Sequence, residues 1–107
     1  MNFEKLREAN KTRQEEWPGS EKATLEFRTI EVAGEFGEVA EAVKKYLRSV
    51  YGIKGSTATV EDIADEMADA IIAIDLLANE FGINLSESVK TKFNKTSMKY
   101  DLSTFIE

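Results

Sequence analysis

Histidine and cysteine are both absent from this chain of 107 residues, and each absence excludes a class of site. Without cysteine there are no disulfides, no thiolate zinc sites and no cysteine nucleophile, which fits a reducing compartment. Without histidine there is no imidazole general base, no Ser-His-Asp triad and no Glu-x-x-His di-iron bundle site. Any hydrolytic chemistry must therefore rely on carboxylates, lysines, tyrosines or a metal-bound water.

The chain also lacks a long apolar run. No window reaches membrane-spanning length, and the start, Met1-Asn2-Phe3-Glu4, shows no basic segment followed by an apolar stretch. We therefore expect no membrane partner and no export signal, and the cytoplasm is the default expectation. Twenty acidic residues against fourteen basic ones give a net charge of −6, which argues against duplex nucleic acid as a partner.

Length and composition favour one all-α domain over residues 1–107, because no segment alternates convincingly between polar and apolar residues. Three strong helices and a marginal, polar N-terminal helix predict a four-helix bundle-like protomer. Small all-helical proteins often gain stability by oligomerising, so we expect a homodimer or a homotetramer. The expected helix bounds are residues 2–17, 20–51, 59–81 and 85–100, with residues 101–107 as a tail. Apolar residues cover a wide arc of the third helix, which should be the most buried.

Two pairs of carboxylates have the spacing i, i+3. Glu35 and Glu38 belong to the second helix, and Glu66 and Asp69 belong to the third. Side chains at this spacing leave the same face of a helix one turn apart, so one ion can touch both members of a pair. If the two helices pack side by side, the four carboxylates converge. Oxygen ligands of this kind are the type that Mg²⁺ or Mn²⁺ prefers.

Each helix has an acidic stripe, formed by Glu31, Glu35 and Glu38 on the second helix and by Asp62, Asp65, Glu66 and Asp69 on the third. Both stripes continue into apolar residues, through Ala42 on the second helix and through Ala73 and Leu76 on the third. A wholly solvated face would not turn apolar, so the stripes are expected to point into a cleft. Like charges there would repel one another unless a cation lay between them. The alternative is an ordinary wet helical surface, and spacing alone leaves both interpretations open.

Lys92, Lys95 and Lys99 share one arc of the fourth helix, beside an apolar arc. They could clamp phosphates next to a metal, or simply form a basic helix end that the helix dipole favours. Trp17 is the only tryptophan. Its ring could stack on a nucleobase, or it could anchor a core or an interface. No glycine-rich phosphate loop with its lysine is present, which excludes a P-loop NTPase.

The order Glu35-x-x-Glu38, then Glu66-x-x-Asp69, resembles the signature of the MazG-like, all-α nucleoside triphosphate pyrophosphohydrolase superfamily. Residues 77–85 are similar to the segment that follows the second motif in that family, and residues 95–100 are similar to its basic C-terminal helix. The resemblance covers about residues 20–100. Two departures are Gly34, where many members carry a glutamate, and Lys95-Thr96, where a Lys-Asn pair is common.

The resemblance implies a dimeric or tetrameric helical bundle that cleaves a (deoxy)nucleoside triphosphate to the monophosphate and pyrophosphate, and so cleans the nucleotide pool. The implied cofactor is Mg²⁺, with Mn²⁺ as a substitute. Competing hypotheses are a non-catalytic, partner-binding bundle, whose acids are surface residues or are salt-bridged to the lysine helix, and a nucleotide-binding regulator without turnover. Together with the resemblance, the residues lead us to hypothesise a site with metal ligands Glu35, Glu38, Glu66 and Asp69, a proton acceptor at Glu31 or Glu38, and substrate contacts at Lys92, Lys95, Lys99 and Trp17.

Overall fold

The computed structural model describes residues 1–107 as four α-helices without any β-strand, so the predicted all-α fold is confirmed. None of the helices combines the length and the apolar composition that crossing a bilayer requires. A short 3₁₀ turn, Ser20–Lys22, separates the first two helices. The helices are α1 (Phe3–Glu16), α2 (Leu25–Tyr51), α3 (Val60–Glu80) and α4 (Leu85–Lys99).

Side-chain caps define where the helices begin. The Thr59 hydroxyl accepts a hydrogen bond from the backbone N–H of Asp62 at 3.1 Å, and the Asp62 carboxylate accepts one from the backbone N–H of Thr59 at 2.8 Å. This reciprocal capping box starts α3. Helix α2 ends at Tyr51, because Gly52 after it adopts a left-handed φ of 69°.

The prediction that the second helix begins at Ser20 is wrong, because Thr24 is the residue that caps α2. The Thr24 hydroxyl accepts a hydrogen bond from the backbone N–H of Phe27 at 3.1 Å, and Ala23 before it is extended. The Ser20 hydroxyl instead donates to the backbone carbonyl of Gln14. Ser20 therefore ties the 3₁₀ turn to the end of α1.

The main contact in the molecule is between α2 and α3. The fully buried apolar residues of the chain are all alanines, namely Ala42 on α2 and Ala70, Ala73 and Ala78 on α3. Small side chains at a helix contact allow the backbones to approach closely. As predicted, α3 is the helix with the most buried residues.

A buried polar cluster fastens α1 to α3. The Asp75 carboxylate is fully buried and accepts hydrogen bonds from Arg7 Nε at 3.0 Å and from Asn10 Nδ2 at 2.9 Å. Arg7 also donates from Nη2 to the backbone carbonyl of Ile83 at 2.7 Å. Charge-assisted bonds of this kind hold a helix that has almost no apolar face of its own.

Much apolar surface finds no cover within one chain. The radius of gyration is 17.1 Å, whereas a compact chain of this length is expected near 13 Å. Helix α4 packs chiefly against α1, and Val89 and Phe93 on its apolar arc stay exposed. Met67 and Ile71 on α3 are exposed as well. The faces that remain uncovered are therefore larger than a stable isolated monomer usually presents.

We expect Asp75→Ala to lower the free energy of unfolding by about 3 kcal/mol, because it leaves the Arg7 guanidinium part-buried and unpaired. Urea denaturation followed by circular dichroism measures the change. The control is Glu41→Ala, which breaks the exposed Glu41–Lys44 ion pair on α2 and should cost less than about 1 kcal/mol. Equal losses in the two variants would contradict a special role for the buried cluster.

Candidate metal centre and adjoining cavity

Three of the four predicted metal ligands converge where α2 faces α3. One carboxylate oxygen from each of Glu35, Glu38 and Glu66 lies within 4.8 Å of the other two. Glu35 and Glu38 come from successive turns of α2, and Glu66 comes from α3 across the contact. The contact between α2 and α3 thus brings carboxylates of the two helices together.

Two oxygens of this cluster have no hydrogen-bond partner although they are buried: Glu35 Oε2 and Glu66 Oε2. A buried acceptor without a partner is costly, and more so when it carries charge. A cation between the two side chains would satisfy both oxygens. The donor set is all oxygen, with neither nitrogen nor sulfur, which suits a hard ion such as Mg²⁺ or Mn²⁺. The residues present therefore fit a divalent cation.

The electrostatics of the cluster are those of crowded acids. Burial, followed by the negative charges of Glu38 and Asp69, raises the pKa of Glu35 above its ordinary value. A hydrogen bond with the Glu38 carboxyl, followed by burial and by the charges of Glu38, Asp69 and Asp65, raises the pKa of Glu66. Both shifts mean that the ionised forms of Glu35 and Glu66 are destabilised when no cation is bound.

Asp69 lies one turn beyond Glu66 on α3, at the edge of the cluster. It is not among the three carboxylates that meet within 4.8 Å. It lines a cavity together with Glu35, and its charge acts on both Glu35 and Glu66. Asp69 is thus close enough to act with the other three, and its role as a ligand stays a prediction.

The cavity beside the cluster has a volume of about 520 Å³ and extends from the carboxylates to the loop after α1. Glu35 and Asp69 belong to its wall, as do the apolar side chains Ile72 and Leu76 of α3. Trp17, which is 59% exposed, also lines it. The other lining residues come from the end of α1, the 3₁₀ turn and the start of α2, and include Arg13, Gln14, Lys22, Phe27, Arg28 and Glu31.

Arg28 is a residue of this cavity that the sequence analysis missed. It is buried, and its guanidinium donates to Glu31 Oε1 at 3.1 Å and to Gln14 Oε1 at 2.7 Å. Glu31, predicted as a possible proton acceptor, is therefore ion-paired with Arg28 and lies outside the carboxylate cluster. A usable signal was present, because Arg28, Glu31 and Glu35 share one face at spacings i, i+3 and i+7.

The predicted lysines lie elsewhere. Lys92, Lys95 and Lys99 are exposed on α4, and none of them forms an ion pair within 4 Å or lines the cavity. Lys99 Nζ instead lies 5.3 Å from the centre of the Tyr100 ring. The alternative in which the acidic stripes are salt-bridged to the lysine helix of the same chain is therefore wrong.

Comparison with known proteins gives two matches. The sequence model of the family described as "MazG nucleotide pyrophosphohydrolase domain" matches residues 24–101, a span that includes both carboxylate pairs. The "Gene 37 protein" of Mycobacterium phage L5 is 31% identical over 77 residues, which cover 72% of this chain and 67% of that protein. No solved structure matches the chain.

We expect Mg²⁺ to raise the thermal unfolding midpoint, because it relieves repulsion among buried carboxylates. In the absence of the ion, Glu35→Gln should raise the midpoint, since the amide removes one of the repelling charges, and it should also reduce the gain on adding Mg²⁺. Fluorimetric melts in EDTA and in Mg²⁺ measure both effects. The exposed Glu80→Gln on α3 is the control and should follow the parent in both buffers.

The difference in unfolding midpoint between Glu35→Gln and the parent should depend on pH, because folding raises the pKa of Glu35. A carboxyl whose pKa is raised by folding destabilises the fold increasingly as pH rises above its ordinary value of 4.5. Melts without metal should thus nearly coincide below that pH and diverge above it, with the variant more stable. A variant that is less stable at neutral pH and keeps the full Mg²⁺ gain would contradict the metal site.

Proposed function

The chain belongs to the MazG nucleotide pyrophosphohydrolase family, and on that premise we propose that it cleaves a (deoxy)nucleoside triphosphate to the monophosphate and pyrophosphate with the help of Mg²⁺. The observation that carries this proposal is the convergence of Glu35, Glu38 and Glu66 with two buried, unpartnered oxygens. The proposed biological role is removal of unwanted nucleotides from the cytoplasmic pool.

Glu35, Glu38 and Glu66 would hold the divalent cation, with Asp69 beside them. Mn²⁺ has the same preference for oxygen and is the expected substitute. A divalent cation held there supplies charge neutralisation for phosphate oxygens and lowers the pKa of a nearby water. The role of the chain itself is to fix the carboxylates on two helices, α2 and α3, that pack against each other.

Of the two carboxylates predicted to accept the proton of the attacking water, we assign the role to Glu38. Glu38 is exposed within the cluster, whereas Glu31 is engaged by Arg28. In the reaction, the water oxygen bonds to one phosphorus of the α–β anhydride and its proton passes to the Glu38 carboxylate. The bridging oxygen leaves with the electron pair of the broken P–O bond on the other fragment.

The phosphates of the substrate need positive charge nearby. The lysines of α4 do not pair with the carboxylate cluster of their own chain and do not line its cavity. We therefore assign Lys92, Lys95 and Lys99 to the cluster of a second copy in a homodimer or a homotetramer. The exposed apolar arc that adjoins these lysines, with Val89 and Phe93, is suited to cover Met67 and Ile71 of the α2–α3 pair in another chain. Such an arrangement brings basic groups to developing phosphate charge.

The activity is tested with a panel of ribo- and deoxyribonucleoside triphosphates, with and without Mg²⁺, and with products separated by ion-exchange chromatography. We expect monophosphate and pyrophosphate in equal amounts. Glu38→Gln and Asp69→Asn should each lower turnover by about a hundredfold or more, whereas Glu80→Gln should retain it. Full turnover in both site variants would refute the assignment. Binding of nucleotide without any product would favour the regulator.

Mixing of variants tests the contribution of a second copy. A Lys95→Ala, Lys99→Ala double variant and Glu38→Gln should each be nearly inactive alone. After the two are refolded together, a random dimer population restores about a quarter of the parent activity, since mixed dimers contain one site with both intact halves. Sedimentation verifies the oligomer. If verified mixed oligomers show no restored activity, the lysines and the carboxylates do not act across chains.

A further inference from the structure

Arg28 is a buried cation that the proposed chemistry does not use. It is 7% exposed and lines the cavity that reaches the carboxylate cluster. Its guanidinium has five N–H groups, and only one bond to Glu31 and one to Gln14 occupy them. A buried guanidinium that keeps unpaired donors beside a cavity is equipped to bind a group with acceptors.

The surroundings of Arg28 suit a flat ligand, although the cations Arg13 and Lys22 line the same cavity. The Glu31 carboxylate lies 3.1 Å from the guanidinium, so the pair has no net charge and offers little attraction to a phosphate. Trp17 and Phe27 line the same cavity, and Ile72 and Leu76 add apolar surface. Aromatic faces of this kind stack on nucleobases whatever their sequence. This part of the cavity is therefore suited to a base, and Arg28 lies about two helical turns before Glu35 on α2.

The hydrogen-bonding groups around Arg28 come in a defined order. Because Gln14 Oε1 accepts from Arg28, the amide nitrogen Nε2 is the free branch of that side chain and is an unpaired donor. The spare N–H groups of Arg28 follow. On the far side, Glu31 uses Oε1 for Arg28 and keeps Oε2 as an acceptor. The row reads donor, donor, acceptor.

We propose that the row formed by Gln14, Arg28 and Glu31 selects a base edge that presents two neighbouring acceptors and then a donor. Cytosine has this edge in O2, N3 and the N4 amine, and guanine has it in N7, O6 and N1–H. Adenine, uracil and thymine alternate donors and acceptors along their edges and leave one group of the row unpaired. The inference rests on the proposed function, because it names the substrates of the same cavity.

A base with a mismatched edge should bind more weakly, because it leaves a hydrogen-bonding group of the row unpaired beside the buried Arg28. An unpaired polar group costs more binding free energy when it is buried than when it is exposed. Discrimination by one side-chain contact to a base is on the order of tenfold or more. Binding is measured by the fluorescence of Trp17, which reports stacking on its ring. Because Trp17 is the only tryptophan, no other tryptophan contributes to the signal. The probes are CMP, GMP, AMP, UMP and TMP in the presence of Mg²⁺.

We expect CMP or GMP to bind at least about tenfold more tightly than AMP, UMP and TMP. The cytosine and guanine arms of the panel decide which of the two bases the cavity accepts. If AMP, UMP or TMP binds as tightly as the better of CMP and GMP, or if no monophosphate binds, the proposal is overturned.

Gln14→Glu is the sharpest variant, because it keeps an oxygen for Arg28 and replaces the free donor by an acceptor, with one added negative charge. It should abolish the tenfold preference. Lys11→Ala, on an exposed position of α1 outside the cavity, is the matched control and should keep the preference. If Gln14→Glu does not fold, Glu31→Gln replaces the acceptor at the other end of the row and should have the same effect. A preference that survives in a folded variant overturns the proposal.

Turnover separates failure of this inference from failure of the proposed function. If every triphosphate is cleaved with equal kcat/KM and the monophosphates bind alike, the pyrophosphohydrolase stands and the base selection falls. If no triphosphate is cleaved but CMP or GMP binds selectively, the base selection stands and the proposed reaction falls.

Discussion

The close contact between α2 and α3 is the constraint on which the rest of the structure depends. The fully buried apolar residues of these two helices are alanines, and carboxylate oxygens from the two helices lie within 4.8 Å of one another. Larger core residues would give more hydrophobic stabilisation, but they would also push Glu66 away from Glu35. The chain thus has a thin core, and its larger apolar side chains remain at the surface, where another copy can cover them.

The thin core leaves α1 to be held by polar contacts. Its own apolar surface is too small to bury, and the fully buried Asp75 with Arg7 and Asn10 fastens it to α3 instead. That attachment has a functional consequence, because the end of α1 presents Gln14 and the loop behind it presents Trp17 to the cavity. A polar network requires defined directions, so it fixes the orientation of α1 more strictly than an apolar contact of the same size would.

Patterns within one or two helical turns predicted most of the fold and the approach of Glu35 and Glu38 to Glu66, because both depend on local periodicity and on short connections. Ser20 misled the prediction because its hydroxyl bonds to the end of α1, a contact that spacing along the chain does not reveal. The face that Arg28 shares with Glu31 was a usable signal for Arg28, but its bond to Gln14 on another helix is not visible in the spacing. The lysines of α4 were assigned to the phosphates from their shared arc, their charge and the family resemblance, none of which determines where α4 lies relative to the carboxylates.

Electrostatics link the carboxylate cluster to the ion and to the phosphates that the proposed substrate carries. The chain carries a net charge of −6, and its carboxylate cluster repels the triphosphate that the proposed function requires. A cation at Glu35 and Glu66 removes that repulsion, and the phosphates in turn add ligands for the cation, so each strengthens the binding of the other by the same factor. The Arg28–Glu31 pair has no net charge, so it contributes little to this coupling. The proposed selection of the base would therefore depend on hydrogen bonds and stacking rather than on the charge that governs the ion.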